Sequence, residues 1–352
     1  MTNNSRRAQG VNQKMTKREQ LLLRRLREIQ HSDGVKTEHL EEVAASAFRL
    51  ESAGIRPPTV TPEAIDSWRR FARDESLDQR DLVHLESIIL GNGLRPAFDI
   101  QGDSFGVLPS LWQDLNDRRA MIDPLIRGIG RLDLTGHPKL TYAGTAFVCG
   151  ERRLITNRHV AQLFTQGLGS GVQLSFTPGI TPSLDLKQEV GSTAPVAVQV
   201  TAPVLILEEW DMAVLEIGPL PGNVAPLPLV ASAPAGIEDR MAAVIGYPAF
   251  DPSEDLVQQI QIFRGVFDKK RLQPGRLKGV QQAESFGRSV QALAHDCTTL
   301  GGNSGSAVID VETGKVVGIH FSGQPLIANF AVPTWALADD QLVRNSGVEF
   351  AA

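Results

Sequence analysis

The sequence predicts an all-β, barrel-type domain preceded by a small all-α bundle. Three observations carry this expectation. Before about Gly93, apolar residues recur at helical spacing. After Leu140 they come in short runs broken by glycine and proline, as barrel strands do. At 352 residues the chain suits two domains, and 42% apolar with 21% charged residues is ordinary globular composition with a sizeable core.

Taken in order, Lys17–Gln30 sets Leu22, Leu26 and Ile29 on one helical face with arginines opposite. Lys36–Ser52 follows and is closed by Gly54 and the Pro57-Pro58 pair. Thr61-Pro62 supplies an N-cap and a proline at the first helical position, and the helix behind it offers Ile65, Trp68 and Ala72 as a face. Ser76-Leu77-Asp78-Gln79 has the spacing of a capping box, with Leu82, Leu85 and Ile89 behind it and Gly91 as a stop. Residues 1–95 therefore read as a helical bundle for regulation or interaction. Residues 96–122 read as a linker carrying one helix from Leu111 to about Met121, and residues 123–352 as the β domain. Within it, a first barrel is expected over about 138–225 and a second over about 226–335, with a closing helix to 345.

Charge and cysteine content narrow the class. A formal net charge of −5 gives no general case for nucleic acid or membrane, and no stretch has the apolar length of a membrane span. The basic runs Arg24-Arg25 to Arg27 and Lys269-Lys270-Arg271, with Arg276 and Lys278, read as solvated faces, the second on a surface hairpin. Cys149 and Cys297 do not make a disulfide framework, and two buried free thiols are expected. The start of the chain leads into no apolar secretory core, which together with the scarcity of cysteine points to a cytoplasmic setting. The histidines and cysteines show no metal-ligand spacing and no phosphate-binding glycine loop is present, so no metal or cofactor is expected.

The chemistry-bearing words lie in the second half. Gly301-Gly302-Asn303-Ser304-Gly305-Ser306 is a glycine turn that presents a serine ahead of an apolar strand. Glycine on both sides permits φ values closed to other residues, so consecutive N–H groups can converge beside the hydroxyl, as acyl transfer needs. Upstream, Leu154-Ile155-Thr156-Asn157-Arg158-His159 ends a strand at a histidine, and Asp211 heads the alternating run Met212–Ile217. Each alone has an ordinary structural reading. Together they give the order His, Asp, Ser, with room between them for several strands.

These words, with Val244-Ile245-Gly246-Tyr247-Pro248, Val316–His320 and Asn329–Pro333, resemble bacterial trypsin-like (chymotrypsin-fold) serine proteases from roughly Asp123 to the C-terminus. The resemblance implies two β-barrels and a triad of His159, Asp211 and Ser304, with the N–H groups of Gly302 and Ser304 as oxyanion hole. It implies that Phe321, Ser322 and Gly323 pair with an extended peptide substrate. Thr299 and His320 resemble the pocket of glutamyl endopeptidases, which suits an acidic or amide side chain, while His320 also reads as a satisfied core residue. Thr298, near the pocket base, offers no acid for Lys or Arg. Asn303 stands where digestive-type relatives carry an aspartate that captures a new N-terminal ammonium, so that activation route is not expected. Control is expected from residues 1–95, through a partner, self-association or shielding of the cleft; a helical bundle before a protease resembles the death-fold-like adaptors of bacterial immune proteases. Two rival readings remain at this stage: a non-catalytic peptide-binding protein using the same cleft, and an esterase using the same three residues.

Overall fold

The computed structural model describes residue 27 and residues 62–78, 80–81, 96–109, 112–251, 256–324 and 328–351. The helix expected over Lys36–Ser52, nearly all of that over Lys17–Gln30 and the face of Leu82, Leu85 and Ile89 lie outside the described residues. Helix α1 (Pro62–Ala72) begins at the expected proline, with Glu63 in its first turn and Arg69 and Arg70 in its last, each suited to the helix dipole. Its buried face is Ile65, Trp68 and Phe71, not Ala72. Ala72 is the final helical residue and is exposed, whereas the Phe71 ring packs 5.6 Å from that of Trp68. The capping box is shifted by two residues. Asp78 Oδ1 accepts the N–H groups of Arg80 and Asp81 at 2.8 and 2.9 Å, and Asp81 Oδ2 accepts the Asp78 N–H at 2.8 Å. Asp81 then ties this cap to α1 through Ser67 and Arg70.

The segment expected to be a linker is built into the β domain. Strand β1 (Phe98–Asp99) pairs with a second-barrel strand at Leu272 and Arg271. Helices α2 (Gln113–Asp117) and α3 (Arg119–Arg127) follow, the latter carrying helix on past Met121 in spite of Pro124. Ile100, Phe105, Leu108, Trp112, Leu115 and Ile122 are buried in the core between the two barrels.

The first barrel contains β2 (Ile129–Thr135), β3 (Tyr142–Gly150), β4 (Arg153–Thr156), β8 (Thr181–Asp185), β9 (Ala197–Ile206) and β10 (Ala213–Ile217). The short helix α4 (Arg158–Ala161) and strands β5 (Thr165–Gln166), β6 (Gly169–Ser170) and β7 (Ser175–Phe176) lie between β4 and β8 in sequence. The order is β10-β4-β3-β2-β8-β9, and β9 pairs back onto β10 to close the ring. It thus begins at Ile129, before the expected 138. Alternating side chains fill it: Leu132, Val148, Leu154, Leu184 and Leu215 are fully buried.

After β11 (Leu229–Val230), the second barrel takes β12 (Met241–Gly246), β13 (Arg271–Ser285), β14 (Arg288–His295), β15 (Ala307–Asp310), β16 (Lys315–Gln324) and β17 (Ala328–Pro333), with helix α5 (Leu256–Phe263) before β13. The order β15-β12-β13-β14-β17-β16 closes through a β15–β16 pairing. The closing helix is split into α6 (Thr334–Ala338) and α7 (Gln341–Asn345), because Asp340 stops to cap the second piece through the Leu342 and Val343 N–H groups. Strand β18 (Phe350–Ala351) then pairs with β11. Cys149 and Cys297 are fully buried, and neither forms a disulfide among the described residues. Among the described residues no helix is long and apolar enough to cross a membrane.

The basic run Lys269-Lys270-Arg271 is not a solvated face. Lys270 and Arg271 are fully buried, and each finds partners distant in sequence. Arg271 donates to the carbonyls of Ala97, Phe98, Phe263 and Val266 and pairs with Asp99 at 3.2 Å. Lys270 Nζ donates to the carbonyls of Leu186 and Ile126 at 2.8 and 3.0 Å and lies 3.5 Å from Glu189. Burial pushes the ammonium down to about 8, against the pull of Glu189. Together the two cations strap residues 97–105 and the 186–190 loop onto the root of β13.

Candidate active site

The site lies where the two barrels meet. On the first-barrel side, β4 runs into α4 through Asn157, which is fully buried and donates its Nδ2–H to the Asp211 carbonyl at 2.8 Å. Arg158 donates to the Glu208 carbonyl at 3.0 Å, so the start of α4 is tied to the loop ahead of β10. This brings His159 and Asp211 together. The Asp211 carboxylate accepts the His159 backbone N–H at 3.0 Å and lies 2.6 Å from Nδ1. The carboxylate is 5% exposed while the imidazole is 39% exposed, so the ring reaches solvent while its orienting acid does not. An ionised carboxylate only accepts, which places the ring proton on Nδ1 and leaves Nε2 as an acceptor.

Ser304 comes from the second barrel, on the turn that leads into β15. Its carbonyl accepts the Thr145 N–H at 2.9 Å. A Cβ built on neighbouring Gly144 would lie 2.9 Å from that carbonyl and 3.1 Å from Val160, the residue after His159. The serine turn and the histidine helix thus pack on the same point of β3. Gly302 and Gly305 hold φ of +83° and +88°, and a side chain on Gly305 would overlap the Thr145 carbonyl.

The turn fixes its own N–H groups. In a planar trans peptide the N–H points opposite the C=O of the same unit, so holding one aims the other. The Gly301 carbonyl, which shares a peptide with the Gly302 N–H, accepts the Ala249 N–H at 2.6 Å. The Asn303 carbonyl, paired in the same way with the Ser304 N–H, accepts the Ser306 N–H at 2.9 Å. Thr145 Oγ1 donates to the Gly302 carbonyl at 2.8 Å. Neither the Gly302 nor the Ser304 N–H donates to an acceptor among the described residues.

Of the remaining expected residues, Thr299 donates its hydroxyl to Asn329 Oδ1 at 2.9 Å, and Asn329 in turn donates to the Cys297 carbonyl at 2.6 Å. A Cβ on Gly323 would press on the same Asn329 amide, so Thr299, Gly323 and Asn329 form one cluster. His320 is 4% exposed, and its Nδ1 lies 3.2 Å from Nε2 of the buried His295. Burial, with His295 and His159 nearby, holds His320 well below the ordinary histidine value, so it is neutral at pH 7. Thr298 is buried, and its hydroxyl has no hydrogen-bond partner among the described residues. Phe321 offers its backbone, not its ring, to the cleft. It sits at an irregularity of the β16–β17 ladder, and its ring is 7% exposed within the inter-barrel core. Among the described residues the chain edge at Phe321–Gly323 is open on one side: β15 pairs with β16 only as far as Ile319, and the bonds of His320 to Ser306 and Gly305 end that contact.

Four contributors escaped the sequence reading: Asn157, Thr145, His295 and Asn329. Asn157 lies two residues before His159, and Thr145 in the preceding strand, with nothing in their neighbours to mark a role. His295 ends an apolar run, and only the β14-β17-β16 order reveals that it reaches His320.

Several known proteins are similar to this chain. A probable serine protease of Lysobacter enzymogenes is 26% identical, over 74% of each chain. Crystal structures of the Rv3671c protease of M. tuberculosis align at 17% identity. The active form gives a TM-score of 0.42 over 72% of this chain and 95% of that one, and the inactive form 0.41 over 63% and 92%. The family model for the trypsin-like peptidase domain matches residues 144–319, half of the sequence. The chain belongs to the trypsin-like peptidase family and is a serine-class peptide-bond hydrolase.

Proposed function

We propose that this hydrolase works through a triad of His159, Asp211 and Ser304 and an acyl-enzyme. The observation that carries the reading is the pair of bonds from His159 to the one buried carboxylate of Asp211, at 2.6 and 3.0 Å. With Nδ1 protonated, Nε2 takes the Ser304 proton as Oγ attacks the scissile carbonyl. Negative charge then develops on that carbonyl oxygen, and the Gly302 and Ser304 N–H groups bind it. One such donor is worth about 2.7–4 kcal/mol of transition-state stabilisation. The imidazolium, steadied by Asp211, returns its proton to the departing amine. Water activated by the same histidine releases the acyl group from Ser304.

The substrate is an extended peptide laid along the open Phe321–Gly323 edge, with backbone pairing that an ester would not make. The side chain before the scissile bond is Glu or Gln. A neutral His320 whose Nδ1 accepts from His295 keeps its own proton on Nε2, and that N–H can donate to a carboxylate or an amide oxygen. The Thr299 and Asn329 side chains add polar partners without a fixed charge. Regulation falls to residues 1–95, which precede in sequence the segment held by Arg271. A non-catalytic peptide clamp would not need the buried acid aligned on His159.

Fluorophosphonate labelling of the full-length protein tests the reading, with Ser304→Ala as control. Labelling of the wild type alone, followed by cleavage after Glu or Gln in a peptide library, is the expected result. Labelling that survives Ser304→Ala, or ester turnover without peptide turnover, would overturn it.

A further inference from the structure

The chain carries an amide at position 303, so no ion pair can hold the serine turn, yet the turn is tightly held. Asn303 is fully buried. Its Oδ1 lies 3.2 Å from Nε2 of Gln273, another fully buried residue, on β13 opposite Val244. The other end of the Asn303 side chain donates to the Leu300 carbonyl at 3.3 Å, and its backbone N–H donates to the same carbonyl at 3.1 Å. One amide from the barrel wall therefore anchors the residue whose peptide carries the Ser304 N–H.

We propose that Gln273 is a positioning residue for the oxyanion turn. It acts through Asn303 and replaces a charged lock with a neutral amide–amide bond. The inference rests on reading the Gly302 and Ser304 N–H groups as the donors to the oxyanion. Packing alone does not account for glutamine at this position. Its Oε1 is buried and accepts no bond from the described residues, so the side chain carries an unrepaid desolvation for the sake of its Nε2. An apolar residue would fill the same space without that cost. A neutral lock also has no proton to lose. The turn keeps its shape wherever His159 is unprotonated, and it depends on no newly cut N-terminus.

The test compares wild type, Gln273→Met and Gln273→Asn in the full-length chain. Methionine keeps the bulk and removes the donor. Asparagine keeps the amide but withdraws it by one methylene, and it serves if the methionine variant does not fold. The readouts are kcat per serine titrated by fluorophosphonate, KM for a peptide, and amide hydrogen exchange of the Gly305 and Ser306 N–H groups. A merely structural role would lower the yield of titratable enzyme, not kcat per titrated serine. The expected result is a loss of about ten- to a hundredfold in kcat with little change in KM, and faster exchange in the turn. Wild-type kcat per site with unchanged exchange would overturn the proposal. Failure of the triad would show separately, as a wild type that does not label. Exchange alone then decides the role of Gln273: faster exchange in the variants supports it, and unchanged exchange sinks it.

Discussion

Asp211→Asn probes the proposed mechanism with the smallest change of shape. The carboxylate accepts two N–H groups of His159, from the backbone and from Nδ1, and is 5% exposed, so solvent cannot substitute for either bond. An amide has one accepting oxygen. The backbone N–H is an obligatory donor, and the oxygen must stay with it or leave a buried donor unpaired. The NH2 group then faces Nδ1. The imidazole can meet a donor there only by becoming an acceptor, which moves its proton to Nε2. That nitrogen is the one assigned to receive the serine proton, and a nitrogen already protonated cannot receive it. The magnitude expected for a wrong tautomer in otherwise intact geometry is about 10⁴ in kcat, or about 5 kcal/mol of barrier. The Asn157 bond to the residue 211 backbone is untouched, so the local fold should persist. The assay is kcat on a peptide and the fluorophosphonate labelling rate, with circular dichroism to verify folding. A folded Asp211→Asn protein with kcat within tenfold of wild type would refute the role given to this carboxylate.

Three further outcomes are expected. His320→Ala should lower kcat/KM after Glu and Gln by about 10²-fold or more, because the pocket loses a buried donor, while labelling of Ser304 continues. An unchanged cleavage profile would remove His320 from specificity. Lys270, held at about 8 in the fold against 10.5 for an ordinary lysine, makes stability depend on pH. The unfolded chain binds a proton that the folded one has released between those values, so wild type should gain stability over Lys270→Met as pH rises through that window. A melting-temperature difference that stays flat there would contradict this. Ile100→Ala should cost about 2–5 kcal/mol in denaturant unfolding, because Ile100 is fully buried in the inter-barrel core. A cost below 1 kcal/mol, measured against the ~1 kcal/mol typical of point substitutions, would mean the strap is not part of the folding unit.

The contrast between the legible and the illegible parts of this chain follows from how far each interaction reaches. His159, Asp211 and Ser304 could be proposed from the sequence because each is announced by its own neighbours: a strand end, an alternating run and a glycine turn. The change from helical to strand periodicity after Leu140 was readable for the same reason. What failed depended on partners across the sheet. Lys270 and Arg271 looked like a solvated run because their acceptors, the carbonyls of Ala97, Phe98, Ile126 and Leu186, leave no mark on local composition. The turn of the Phe321 ring into the core left no local mark, because the ladder irregularity behind it is set by pairing with β17. Residues 96–109 looked like a linker because their strand is only two residues long and their apolar residues have no period. The same limit explains why a candidate serine and histidine can be proposed from a sequence while the residues hydrogen-bonded around them cannot. Thr145, Asn157 and Gln273 hydrogen-bond to backbone or amide groups far along the chain. On the mechanism and the Gln273 role proposed above, the chemistry is written in three local words and the control over geometry in contacts between strands. Substitutions outside those words would then alter kcat without touching the triad.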